Sequence, residues 1–503
     1  MNSSIVRFIL GQVLKMEALL LLLPCLAAVF YLEPEGFCYL GTAALCLLSG
    51  TLMTLKKPAN TVFYLKEGCV ATALSWIIMS LFGCLPFVFT GEIPSFINAL
   101  FETVSGFTTT GASILSDVEA LSHCSLLWRS FTIWIGGMGV LVFLLAVIPL
   151  SGGSNINLIR AESPGPSVGK LVPKIRYTAR ILYLIYFGLT ILEILLLLAG
   201  GMSFFDALNT GISTAGTGGF GIKNDSMASY SPYLQWVITI FMILFGVNFN
   251  AYYLILYRKF KKAFGMEELK YYFLVIAAAI GIIFCNLVQT TANVFQSLTD
   301  ASFQVASIIT TTGFSTVDFN AWSESCRVVL ILLMFIGACA GSTGGGIKVS
   351  RLVILCKTVV KELNSYLHPK SIRKINFEKK VVEHDVVRSI NVYFITYMVL
   401  FSASVFIISF EGFDLITCFT AVTATFNNIG PGLELVGPTQ NFDLFHGFSK
   451  LVLIFDMLAG RLELFPLLIL FHPSIWKDLF TQKRQARRLH KLRTEQSNRG
   501  QTN

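Results

Sequence analysis

Four short polar runs, each ending in glycine, lie just outside long apolar stretches of this chain. They are Thr108-Thr109-Thr110-Gly111, Ser213-Thr214-Ala215-Gly216-Thr217-Gly218-Gly219, Thr310-Thr311-Thr312-Gly313 and Asn427-Asn428-Ile429-Gly430. Irregular backbone beside apolar segments cannot face lipid, because every main-chain N–H and C=O in hydrocarbon needs a partner; it must be buried in protein or line water. Glycine adopts conformations closed to other residues and lets the main chain approach a ligand closely. Loops of this composition build cation filters, in which carbonyl oxygens replace the ion's hydration shell. A single such loop would carry little weight. Four at similar spacing imply four chain segments meeting on one axis.

The apolar stretches themselves exclude a soluble fold. Of 503 residues, 54% are hydrophobic and 13% charged, with a mean hydropathy of +0.68; a soluble protein carries about twice that charged fraction. A membrane-spanning helix needs about 20 apolar residues, and many segments here qualify. The net charge of +9 does not point to nucleic acid, because the basic residues sit between apolar segments and in the C-terminal tail. The 11 cysteines lie mostly in apolar segments (Cys25, Cys46, Cys285, Cys339) without metal-ligand spacing, and the six histidines are scattered. The stretch Leu19–Phe30 after Arg7 and Lys15 has no obvious cleavage site and reads as a retained helix rather than a leader.

Two apolar segments, 16–32 and 36–55, come first. A unit of spanning helix, short helix, glycine run and second spanning helix then recurs four times. The predicted divisions are 1–60 for the two-helix extension, 61–155, 156–265, 266–375 and 376–475 for the four units, and 476–503 for a basic tail. The expected fold is an all-α polytopic membrane protein with ten spans. Each short helix is expected to start with an Asn or Asp as its cap: Asn98, Asp206, Asp300 and Asp414. The run-ending glycine lies 13 residues after the first three and 16 after the fourth, which predicts that the fourth turn is not equivalent to the others.

Charge gives an orientation. Basic residues follow the second span of each unit (Arg160, Lys170, Lys174, Arg176 and Arg180; Arg258 to Lys262; Lys361 to Lys380) and fill the tail from Lys483 to Arg493, whereas the glycine-run side carries Glu92, Asp117, Glu119, Asp225, Asp318, Glu434 and Asp443. By the positive-inside rule the glycine runs face outside and both termini lie in the cytoplasm.

Three further features carry chemistry. A short helix running inward would aim its carbonyl end, the negative end of its dipole, at a cation on the axis. The second span of unit three is interrupted by Gly337-Ala338-Cys339-Ala340-Gly341-Ser342-Thr343-Gly344-Gly345-Gly346-Ile347-Lys348, and each glycine there costs about 1 kcal/mol in a helix. It is not a phosphate loop, because Ile347 separates Gly346 from Lys348, Val349 follows instead of Ser or Thr, and no strand precedes it. It reads instead as a movable plug. The last span carries Asp456, Arg461 and Glu463, and ionisable groups at that depth are functional candidates. Arg461 near mid-span would oppose a passing cation. Asp456 lies five residues away and does not face it on one helix. Glu102 and Glu193 are weaker candidates of the same kind.

These residues resemble the superfamily of K⁺ transporters that includes the TrkH/TrkG, KtrB and plant HKT proteins, and the TrkH branch most closely. The resemblance rests on Phe101-Glu102-Thr103-Val104-Ser105-Gly106-Phe107-Thr108-Thr109-Thr110-Gly111-Ala112-Ser113, on Ala340–Lys348, on Asn427–Leu433 and on Gly460-Arg461-Leu462-Glu463. It implies four M1–P–M2 pore-loop units around a pseudo-fourfold pore, preceded by two extra helices. It implies a homodimer in the bacterial inner membrane, and a cytoplasmic TrkA-type nucleotide-binding regulatory subunit as partner. K⁺ would sit among the carbonyls of Thr109, Thr110, Gly111, Gly218, Gly219, Thr311, Thr312, Gly313, Asn428, Ile429 and Gly430. Gly341, Ser342, Thr343, Gly344, Gly345, Gly346, Lys348 and Arg461 would gate the path. In that family glycine at all four filter positions accompanies K⁺ selectivity, and Gly111 fits this. Whether Gly218 or Gly219 takes the selective position rests on spacing alone. A Na⁺/K⁺ symporter or Na⁺-permeable member, and a non-conducting receptor or scaffold, are the rival readings. An enzyme is disfavoured, since no span pairs a nucleophile with a base.

Overall fold

The computed structural model describes residues 2–58, 64–137, 139, 175–290, 293–370, 373–475 and 477. Three sequence expectations lie outside those residues: the unit-one second span beyond residue 139, the basic residues Arg160, Lys170 and Lys174, and the tail from Lys483 to Arg493. The described chain is mostly helical. Its only strands are a two-residue pair, Asn376–Phe377 against Lys380–Val381.

Among the described residues, six helical runs are long and apolar enough to cross a bilayer: Ser3–Tyr31, Gly36–Thr54, Leu65–Thr90, Arg180–Ala199, Glu267–Thr290 and His384–Glu411. The first two pack closely because glycines meet at their crossing: a Cβ on Gly11 would come within 2.9 Å of the Gly50 carbonyl oxygen. Small residues serve this purpose where the hydrophobic effect cannot drive helix association.

The break expected in the second span of unit three forms, and the second spans of units two and four are interrupted as well. The second span of unit two bends by 90° between Pro232–Phe245 and Phe249–Leu256. That of unit three divides into Glu324–Phe335 and Val349–Leu367. That of unit four stops at Arg461, passes through Glu463 and Leu464 at positive φ, and resumes at Phe465. Unit one's second helix is described over His123–Gly137. The cause is local contact. In units one, three and four the second helix or its interruption abuts the carboxyl end of the unit's own short helix so tightly that a side chain has little room, whereas at the unit-two bend Gly246 lies against the Tyr272 hydroxyl. A Cβ on Gly136 or Gly460 would overlap the Phe107 or Phe426 carbonyl oxygen, and one on Gly344 would stand 3.0 Å from the Thr310 oxygen.

The four short helices are Phe96–Phe107, Phe204–Gly216, Val294–Ile309 and Leu415–Phe426. Only Asp414 of the expected caps is a cap, accepting from the Thr417 amide at 3.0 Å; hydrogen bonds from Thr417 hold its carboxyl below the usual carboxylate range. The other caps are Ser95, Ser203 and Asn293. Asn98 instead donates to Asp443 at 3.0 Å, Asp206 accepts from the Tyr230 hydroxyl at 3.1 Å, and Asp300 accepts from Gln296 at 2.9 Å. This correction reverses an expectation. Counted from the true caps, the glycine lies 16 residues on in units one, two and four and 20 on in unit three. The fourth turn is therefore regular, and the third short helix is about one turn longer.

Candidate functional site: a ring of backbone turns over a pinned loop

Each short helix ends in the same three-residue turn. Thr109, Thr217, Thr311 and Asn428 all take left-handed backbone with φ between 55° and 58°. Two residues later Gly111, Gly219, Gly313 and Gly430 take φ of 78°, 65°, 87° and 106°. A side chain is strained in this region, most of all at Gly430. The shared geometry gives Gly219, not Gly218, the place equivalent to Gly111. It also adds Thr217, which the spacing rule could have found two residues before Gly219.

The turns touch in cyclic order. A Cβ on Gly111 would overlap the Gly218 carbonyl oxygen, one on Gly219 that of Thr312, and one on Gly313 that of Ile429. One on Gly430 would lie 2.9 Å from the Thr110 oxygen, which closes the ring. Thr109, Thr110, Thr311, Thr312 and Asn428 are fully buried. Their side chains hold the turns from behind: Thr110 and Thr312 pair with Thr108 and Thr310 at 2.8 Å, and Asn428 donates to Thr110 Oγ1 and to the Met457 carbonyl at 2.9 Å. The carbonyl oxygens of Thr110, Gly218, Thr312 and Ile429 therefore lie at the contacts between neighbouring turns. Among the described residues no three His, Cys, Asp or Glu side chains group into a metal site.

Against this ring lies the glycine-rich segment between Phe335 and Val349. The Gly345 amide donates to Thr311 Oγ1 at 2.7 Å, so the segment is bonded to the third turn itself. Lys348 Nζ reaches back to the carbonyls of Gly344 and, at 3.1 Å, Gly345. The Gly337 amide bonds to the Ile347 carbonyl at 2.8 Å, which closes the base of the loop. Arg461 enters from unit four. Its Nη1 donates to the Thr343 carbonyl at 2.7 Å and its Nη2 to the carbonyls of Gly136 and, at 2.8 Å, Gly137. One side chain therefore ties the broken fourth span to the unit-three loop and to the end of the unit-one helix. Gly341 has φ of 72° and its carbonyl accepts from the Phe249 amide at 3.1 Å, which joins the loop to the bend in unit two. Ser342 bonds to the Cys339 carbonyl, and Gly346 takes φ of 66° where the loop turns back.

Sequence reasoning missed the residue that anchors this loop. Glu268 is buried at the start of the Glu267–Thr290 helix and accepts from the Ala340 amide at 2.7 Å, the Ser350 amide at 3.2 Å and Asn248 at 3.2 Å. Nothing in the sequence singles out one acid among those near a helix start. Leaving a buried donor unsatisfied costs about 1–3 kcal/mol, so Glu268→Ala is expected to lower stability by roughly 3 kcal/mol, read as a drop in the thermal unfolding midpoint in detergent. An unchanged midpoint would remove its anchoring role.

The other acids singled out by the sequence divide. Glu463 pairs with Arg351, whose guanidinium stacks 4.2 Å from the Tyr393 ring centre. Asp456 accepts from Ser404 at 2.7 Å and does not meet Arg461. Glu193 is fully buried. Glu102 pairs with Arg129 at 2.8 Å.

Long apolar helices packed around a layer of close-contacting irregular backbone define a multi-pass membrane protein. Comparison with known proteins agrees. The family model described as TrkH, cation transport protein, matches residues 38–478. The Trk system potassium uptake protein TrkH of Salmonella typhimurium is 34% identical over 487 residues, covering 95% of this chain and all of the relative. The Trk system potassium uptake protein TrkG of Escherichia coli is 33% identical over 491 residues, with 95% and 100% covered. The crystal structure of the potassium transporter TrkH from Vibrio parahaemolyticus superposes with a TM-score of 0.85 at 30% identity, covering 95% of this chain and 100% of that one. This chain belongs to the TrkH family of cation transport proteins.

Proposed function

We propose that this protein takes up K⁺ across the bacterial inner membrane through a channel-like filter formed by the four turns, in four pore-loop units around a pseudo-fourfold axis. The observation that carries this reading is the closed cyclic contact of four turns with one backbone pattern. Dehydrated K⁺ would rest among the carbonyls of Thr109–Gly111, Gly218–Gly219, Thr311–Gly313 and Asn428–Gly430, with oxygens standing in for water. The loop Gly341–Gly346, Lys348 and Arg461 would form the closed gate beneath it. Glycine turns would face outside and both termini the cytoplasm. The protein would work as a homodimer, and nucleotide sensing would belong to a cytoplasmic TrkA-type subunit, since the backbone of this chain's own glycine-rich loop is committed to Thr311, Arg461 and Lys348.

The test is ⁸⁶Rb⁺ uptake into proteoliposomes holding this protein, with cold K⁺ or Na⁺ as competitor. Competition by K⁺ and not Na⁺ is expected. Equal competition by Na⁺ would favour the Na⁺-permeable reading, and absence of uptake even in a variant with an opened gate would favour a scaffold.

A further inference from the structure

The four turns are not anchored alike. In unit one Glu102, nine residues before Gly111, accepts from the Ile114 amide at 3.0 Å, three residues after it. In unit three Gln304, nine before Gly313, donates to Thr316 at 3.4 Å, again three residues after. Ser307 adds a bond to the Phe314 carbonyl at 2.6 Å. In unit four Thr420 accepts from the Leu433 amide at 3.0 Å, three residues after Gly430. Each of these short helices thus holds its own outgoing strand. Unit two departs. Its corresponding side chain is Thr210, and the buried hydroxyls of Thr210 and Ser213 make no hydrogen bond to a described residue. Its strand, Gly216-Thr217-Gly218-Gly219-Phe220-Gly221, is also the one richest in glycine and so the least stiff.

The missing anchor comes from unit one. Arg129, 3% exposed, donates from Nη1 to the Gly221 carbonyl at 3.1 Å, and its guanidinium lies 4.1 Å from the Phe220 ring centre. Among the described residues it is the one side chain that hydrogen-bonds to residues 219–222. Arg129 is itself aimed by Glu102, 1% exposed, through the 2.8 Å bond to Nε. Ser113 completes the cluster, donating to Glu102 at 3.0 Å. The planar guanidinium fork can hold a carboxylate, a carbonyl and a ring face together, which an ammonium cannot.

We propose that Glu102 and Arg129 are positioning residues that hold the second filter strand from the first unit, and that this brace sets the discrimination between K⁺ and Na⁺. The proposal rests on reading the ring as the cation filter. A strand free to move lets its carbonyls close on a smaller ion, so loss of the brace acts on selectivity before it acts on transport.

The experiment is ⁸⁶Rb⁺ uptake by purified, reconstituted full-length protein, with the inhibition constants for K⁺ and Na⁺ measured separately. Arg129→Lys keeps the charge beside Glu102 and is chosen to preserve folding, checked by gel filtration and thermal midpoint. Its ratio of Na⁺ to K⁺ constants should fall about tenfold or more while K⁺ uptake persists. Glu102→Gln should give the same split, and Gln304→Ala, which cuts unit three's own anchor, a smaller one. Should both brace variants fold and keep the wild-type ratio, the proposal is overturned. A wild-type protein without K⁺-selective uptake would instead overturn the filter reading, so the two failures are separable.

Discussion

Serine in place of Gly313 is expected to collapse discrimination between K⁺ and Na⁺, lowering the ratio of their inhibition constants in ⁸⁶Rb⁺ uptake by at least about tenfold. Two effects combine. Gly313 holds φ of 87°, which a side chain occupies only with strain of the order of 1–3 kcal/mol. Its Cβ would also overlap the Ile429 carbonyl oxygen and lie 3.0 Å from Pro431. The neighbour that must move is main chain and belongs to the ring, so the substitution displaces a proposed ion ligand directly. The same argument ranks the four positions. Gly111 and Gly219 each meet a carbonyl as closely as Gly313 does, whereas a Cβ on Gly430 would stand 2.9 Å from the Thr110 oxygen. Serine at Gly430 should therefore damage selectivity less by contact, although its φ of 106° adds backbone strain. Gly188, which has no neighbour within 4 Å of a Cβ, should accept alanine without effect. Wild-type selectivity in folded Gly313→Ser protein would refute the assignment of this turn.

The contrast between that turn and its surroundings shows what a sequence of this kind discloses. Thr310–Gly313 and its three counterparts are legible because their chemistry is local: small polar residues and a glycine that must take positive φ. The broken third span is legible for the same reason, since five glycines within Gly337–Gly346 defeat a helix wherever they fall. The caps were misread because Asn98, Asp206 and Asp300 have partners that spacing cannot reveal; Asn98 bonds to Asp443, which lies 345 residues away in the chain. The interruptions near Gly246 and Arg461 were hidden in apolar runs that look continuous. They arise where the helix meets a packed neighbour, Tyr272 at Gly246 and the end of the short helix at Phe426 for Gly460, and the penalty of freed backbone groups is met by bonds between units, such as the Cys339 amide to the Gly246 carbonyl at 3.1 Å. The order of the ring and the anchor at Glu268 belong to the same class of long-range fact.

Arg461 is legible from the sequence as a charge within a span, and its partners decide what that charge does here. Removing the side chain, Arg461→Ala, is expected to raise ⁸⁶Rb⁺ uptake by about tenfold or more in proteoliposomes without any cytoplasmic partner. Two mechanisms predict that leak. A fixed cation about 8 Å from an ion, at an effective dielectric constant of about 20, opposes it by roughly 2 kcal/mol, or about thirtyfold in occupancy. Alternatively, the guanidinium acts as a tie, since its bonds to Thr343, Gly136 and Gly137 hold the loop against the first unit. Arg461→Gln and Arg461→Lys separate the two. Glutamine keeps an amide donor and loses the charge, whereas lysine keeps the charge on a single point that cannot span carbonyls in two units. If the barrier is electrostatic, the lysine protein stays closed and the glutamine protein leaks like the alanine protein. The geometry favours the tie, because the charge is already met by main-chain oxygens that soften its field, so the lysine protein should leak as well. That outcome would make opening a matter of releasing the loop from Arg461, leaving the arginine in place while ions pass.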